Sequence, residues 1–263
     1  MNHLPIDRAR LTSSELGWGP TRPIRSQSYP PRTRCHDDAM PRHTYLSRAY
    51  RAVMATTSPL INRWGQLQVT GLECIPTAGP TLIVCNHDSR WDPIAVGMAA
   101  RSRRQIRALA KSSLWKNPLV GRVLDGMGQI PLQRGVGDAA ALDAAIAELR
   151  AGSCIGVFPE GTISRGKALR ARSGVGRMFE AVPESTVVCA TVRGTVDIVR
   201  APKRPRIEVE FYRPDPPGLQ GEETAADFVV RLMAEIRSKA PVALPGRAKK
   251  AEKYRHAAGS NES

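Results

Sequence analysis

Hydrophobic and polar positions change character near residue 44. Before that point the chain is rich in Pro, Arg and Ser ("GPTRPIRSQSYPPRTRCHDDAMPR") and shows no period. Such a segment has too little apolar surface to offset the entropy of ordering it. Beyond Thr44, Tyr45, Leu46, Ala49, Tyr50, Val53 and Met54 recur at helical spacing, with Arg48 and Arg51 on the other side, which predicts an amphipathic helix. Its apolar stripe can pack on a domain core or, with its arginines, lie in a lipid interface. Shorter apolar runs then alternate with helical patterns. "QLQVTGLECI", "TLIVC", "QIRALAK", "QIPLQ", "CIGVF", "TVVCATV" and "RIEVEFY" read as strands. Helices are predicted from Pro93 to Ala100, through "PLVGRVLDG" behind Asn117, and after Asp138, where Leu142, Ile146 and Leu149 form one stripe closed by Gly152. Two more begin at Ser173 and behind a capping box of Thr224 and Asp227. Strands alternating with helices predict an α/β fold: a mixed, largely parallel sheet flanked by helices, with the amphipathic helix on its N-terminal side. The organisation that follows is a disordered basic segment over 1–42, one folded domain over 43–240 and a basic flexible tail over 241–263.

Charge narrows the class of partner. The chain carries 39 Lys and Arg against 24 Asp and Glu, a formal net charge of +15. Such a balance attracts an anionic partner: nucleic acid, an anionic membrane surface or phosphorylated substrates. Aromatic residues make up only 5% of the chain and no stacking motif or zinc-finger spacing occurs, which argues against nucleic acid. No apolar run reaches the ~18 residues of a spanning helix. No signal peptide is visible in "MNHLPIDRAR". Contact with a membrane is therefore expected to be peripheral or monotopic. Five scattered cysteines (Cys35, Cys74, Cys85, Cys154, Cys189) form no C-x-x-C pair and no even framework, which suits a reducing cytoplasmic setting.

Three stretches at strand ends carry candidate chemistry. "CNHDSRWDP" follows the apolar run "TLIVC". Asn86 and Asp88 are turn formers, and Ser89 or Asp92 can cap the helix that Pro93 opens. Neither use requires His87, and a histidine five residues before an aspartate also suits a general base whose tautomer the carboxylate fixes. The carboxyl end of a strand is where open α/β sheets bind ligands. Without a G-x-S-x-G elbow no nucleophilic serine is indicated, so such a base would act directly on a substrate hydroxyl. In "VFPEGTISR", Gly161 provides either turn freedom or room for a ligand, and Glu160 and Thr162 provide hydrogen-bonding groups. In "GQIPLQRG", Arg134 is either a solvated surface residue or a phosphate fork. Lys111, which closes "RALAK", has the same two readings. No His/Cys cluster has metal-ligand spacing.

Together "NHDSRWD", "GQIPLQR" and "FPEGT" resemble, in order and approximate spacing, the motifs of the glycerolipid acyltransferase family, which includes the 1-acylglycerol-3-phosphate acyltransferases. "AKSSLWKNPLVG" resembles the Ala-Lys segment between the first two of them, and the likeness covers roughly Leu67 to Val192. The resemblance implies a base role for His87 and an orienting role for Asp92. It implies that Arg134, Glu160, Gly161 and Thr162 lie in the acceptor site, with Arg134 on the glycerol phosphate, and that Lys111 lies near the reacting carbonyl. The family's arginine after "EGT" is replaced by Ile163, and Arg165 stands two positions further on. The implied reaction takes an acyl group from acyl-CoA or acyl carrier protein to the free hydroxyl of a lysophospholipid, giving phosphatidic acid for phospholipid biosynthesis, with no metal or cofactor. Other lysolipid, glycolipid or glycerol 3-phosphate acceptors are the alternatives. The implied location is the cytoplasmic face of an anionic membrane surface.

Overall fold

A computed structural model describes residues 46–133, 139–200, 202 and 204–243. All of them belong to one compact unit that begins at Met40. The expected segment 1–42 and the tail from residue 244 onward lie outside the described residues, as do Tyr45 and Asp138.

The strands are β1 (Gln68–Thr70), β2 (Thr81–Cys85), β3 (Ile106–Lys111), β4 (Ile130–Leu132), β5 (Cys154–Val157), β6 (Thr186–Arg193) and β7 (Glu208–Tyr212). They form one sheet in the order β1-β7-β6-β2-β5-β3-β4. Every neighbouring pair is parallel except β6 and β7. The sheet is thus mixed and mostly parallel, as the alternation of elements predicts. The expected long first strand is cut to three residues because Gly71 turns left-handed (φ +69), with Leu72–Cys74 continuing as a 3-10 turn. A Cβ on Gly71 would stand 1.8 Å from the carbonyl oxygen of Phe211, so no other residue fits this approach of the chain to β7.

Among the described residues, six α-helices flank the sheet: α1 (Arg48–Ser58), α2 (Asp92–Ala100), α3 (Pro118–Gly126), α4 (Ala139–Arg150), α5 (Gly174–Ala181) and α6 (Ala225–Lys239). Asn117 caps α3 by accepting from the Leu119 and Val120 N–H groups, and Thr224 and Asp227 form the capping box of α6. Because side chains alternate along a strand, β2 feeds two cores. Ile83 and Cys85 pack with Tyr50, Met54, Val96 and Met98 of α1 and α2. Leu82 and Val84 pack with Leu149, Met178, Phe228 and Leu232 of α4, α5 and α6. α1 therefore packs on the domain: Tyr50 and Met54 are fully buried.

Register then positions the site. β2 lies between β5 and β6, with Val84 opposite Val157 and Cys85 opposite Ala190. The loops leaving the carboxyl ends of these three parallel strands are neighbours by construction. This is the reversal point of strand order where such sheets hold ligands.

Candidate functional site

Asn86, the first residue after β2, extends that strand with its side chain. Its Nδ2 donates to the Val192 carbonyl (2.9 Å), and its Oδ1 accepts from the Val192 N–H (2.8 Å). A turn then leads into α2, whose first residue is Asp92. Asp92 is fully buried, and four donors converge on it. Its Oδ2 accepts from the Asp88 and Ser89 N–H groups (both 2.7 Å) and lies 3.1 Å from His87 Nδ1. Its Oδ1 accepts from the Thr195 hydroxyl, which the loop after β6 supplies. A buried carboxylate held this way needs no further partner. Since Asp92 accepts at Nδ1, the proton of a neutral His87 sits on Nδ1 and Nε2 keeps its lone pair. The His87 ring rests on Phe158 of the neighbouring loop, centroid to centroid 4.6 Å.

A second layer fixes the backbone of this loop. The His87 N–H donates to Glu160 Oε2 (3.0 Å), and the His87 carbonyl accepts from the Ser164 N–H (2.8 Å). The Ser164 hydroxyl donates to Asp88 Oδ1. Arg237, in the last turn of α6, spans both acids. Its Nε donates to Glu160 Oε1 (2.8 Å), its Nη1 to Asp88 Oδ2 (2.9 Å) and its Nη2 to Asp88 Oδ1 (3.0 Å). Burial works against the Arg237 charge, but the hydrogen bonds to Asp88 and Glu160 outweigh it and hold the guanidinium above its ordinary pKa. Glu160, expected in the acceptor site, thus has both oxygens committed to the His87 backbone and to Arg237. It is buried and forms no part of the cavity wall.

That cavity, about 1140 Å³, opens against His87. Its walls are mostly apolar, with Met54, Val96, Ile106, Leu124 and Met178 among them. Among the described residues, five cations join the lining: Arg90, Lys111, Arg165, Arg172 and Arg177. Gly161, Thr162 and Ile163 line it as well. Gly161 is left-handed (φ +67), and a Cβ there would come within 2.7 Å of Arg172 Nε, so the residue makes room for this chain's own arginine as well as a turn. Arg134, the expected phosphate fork, lies outside the described residues. The Cys85 thiol, one strand position before the site, is buried, which pushes its pKa well above the ordinary value, with Cys189 and Asp92 adding to the effect. It is no nucleophile.

Arg237, Ser164 and Thr195 were not read from the sequence as site residues. Arg237 follows the apolar stripe of α6 and has the appearance of a dipole-matching cation at a helix end. Ser164 and Thr195 sit in loops full of small polar residues. Only Ser164 carried a signal, its place directly after "EGTI".

Residues 66–193 match the acyltransferase family model. The 1-acyl-sn-glycerol-3-phosphate acyltransferase of Borreliella burgdorferi is 41% identical over 100 residues, 37% of this chain and 39% of that protein. The protein of the same name from Bacillus subtilis is 26% identical over 150 residues, 57% of this chain and 64% of that one. The matches thus span less than two thirds of either relative. The crystal structure of the 1-acyl-sn-glycerophosphate (LPA) acyltransferase PlsC from Thermotoga maritima shares the fold, with a TM-score of 0.52 at 22% identity, over 75% of this chain and 86% of that chain.

Proposed function

We propose that this chain, whose residues 66–193 match the acyltransferase family model, moves a fatty acyl group from a thioester, acyl-CoA or acyl carrier protein, to the free hydroxyl of 1-acylglycerol-3-phosphate. The observation that carries the reading is the His87–Asp92 pair, 3.1 Å apart, set against a large apolar-walled cavity rimmed by cations. An amphiphile with an anionic head and a long tail matches that combination of walls.

In the proposed reaction, His87 Nε2 takes the hydroxyl proton as the acceptor oxygen attacks the thioester carbonyl. The imidazolium that forms is stabilised by Asp92, whose other oxygen and backbone partners keep it in place. The tetrahedral intermediate collapses, the C–S bond breaks, and the leaving thiolate takes the proton back from His87. The product is an ester and the free thiol, with no covalent enzyme intermediate. Lys111 stands beside the reacting carbonyl as an oxyanion donor. Arg134 and Arg165 hold the acceptor phosphate, with Gly161 and Thr162 shaping the loop, and this positioning contributes through effective concentration. Glu160, through Arg237 and the His87 N–H, positions the base rather than the substrate.

Thiol release from acyl-CoA with lysophosphatidic acid, followed for wild type and His87→Ala, tests the reading. Loss of release in a variant that melts like wild type is expected. Release that survives the substitution would overturn the mechanism. Ile163 on the cavity wall, where the family resemblance calls for an arginine, favours running the same assay with other lysolipids, glycolipids and glycerol 3-phosphate.

A further inference from the structure

Large apolar side chains that stand exposed are few among the described residues, and most of them cluster. Leu114 (45% exposed), Leu119 (71%), Val120 (40%) and Val123 (41%) all fall between residues 114 and 123, on the 3-10 turn Ser112–Lys116 and on α3. The same four side chains line the cavity that holds His87. The stretch 111–123 contains three exposed cations, Lys111, Lys116 and Arg122, and no acid. The next acid, Asp125, accepts from Trp115 Nε1 (2.7 Å), so a tryptophan is fixed at the edge of the apolar patch. Apolar tips, flanking cations and a tethered indole are the composition of a surface that sits at the headgroup level of a bilayer. α1 has no such surface left, because Tyr50 and Met54 lie in the core. No helix among the described residues is long and apolar enough to cross a membrane.

We propose that residues 112–123 seat on an anionic lipid bilayer, with Leu114, Leu119, Val120 and Val123 among the acyl chains and Lys116 and Arg122 at the headgroups. Since the patch and the cavity share those four side chains, a lipid tail passes from the bilayer into the cavity along a continuous apolar surface. Each methylene that stays out of water on that route avoids about a fourfold penalty in partition. The inference rests on reading the cavity as the site of an acylated substrate.

The test is flotation of the full chain with phosphatidylcholine vesicles, with and without phosphatidylglycerol. Wild type is expected to float with the anionic vesicles. Each basic residue at such a surface contributes about fivefold to binding, so the double variant Lys116→Glu/Arg122→Glu should bind at least about 30-fold more weakly. Leu119→Asp should lose binding too, while Val230→Asp, an equally simple change at an exposed valine on α6, should not. The charge-reversal variant should keep wild-type turnover of a short-chain, monomeric lysophosphatidate and lose turnover of the vesicle-borne one. Unchanged flotation of both patch variants would overturn the proposal. So would light scattering that shows a dimer which Leu119→Asp dissolves, because a second copy would then cover the patch. If wild type floats, the variants do not, and no acceptor is turned over, the acyl-transfer reading fails and the docking surface stands.

Discussion

Replacing Arg237 with alanine removes the guanidinium that ties α6 to an acid in the loop after β2 and to another in the loop after β5. Both carboxylates it holds are buried: the side chains of Asp88 and Glu160 are 4% and 2% exposed. They would not lose equally. Asp88 keeps the Asn86 amide and the Ser164 hydroxyl, whereas Glu160 keeps only the His87 N–H. Breaking a buried ion pair from one side costs about 3–5 kcal/mol, because the other charge is left uncompensated. Against a typical domain stability of about 5–15 kcal/mol, the variant should still be mostly folded in the cold. Urea titration should therefore show a midpoint well below that of wild type. Catalysis should fall by more than the folded fraction explains, because Glu160 positions His87 through its backbone. A displacement of about 1 Å at the base costs on the order of 100-fold, and the loss should appear in kcat rather than KM. Arg237→Lys should recover only part, since an ammonium lacks the planar fork that spans two acids. The triple variant Arg237→Met/Asp88→Asn/Glu160→Gln should regain part of the stability but not the turnover, because it leaves no uncompensated buried charge. Wild-type stability and wild-type kcat in Arg237→Ala would refute the reasoning.

Thr195→Val removes the donor to Asp92 Oδ1 without changing shape, and a hydrogen bond to a buried charge is worth about 1.5–3 kcal/mol. The melting temperature should drop by several degrees and thiol release should slow, both measured on the same preparation. Among the described cysteines, burial pushes Cys85, Cys154 and Cys189 above the ordinary thiol range, and Cys74 is only half-buried. Alkylation of the native chain followed by peptide mapping should therefore label Cys74 and spare those three until denaturant is added.

Local order in the chain fixed more of this molecule than its energetics would suggest. The His87–Asp92 pairing was legible because both residues belong to one strand-turn-helix unit, where a spacing of five positions can bring a ring nitrogen to a carboxylate. The same holds for the caps at Asn117 and Thr224 and for the two-faced β2, which depend on backbone periodicity alone. Tertiary structure decided what local order could not. Glu160 stands at a strand end and was expected to face a substrate. The parallel register of Val84 with Val157 turns it beneath His87, where Arg237 meets it from 77 residues away in sequence. Whether the apolar face of α1 packed on the domain core or lay in a lipid interface was equally open. Burying α1 against α2 and the sheet answered it. Periodicity states which side chains share a face. Only the assembled sheet, which sets which faces and which loops become neighbours, determines what those side chains touch.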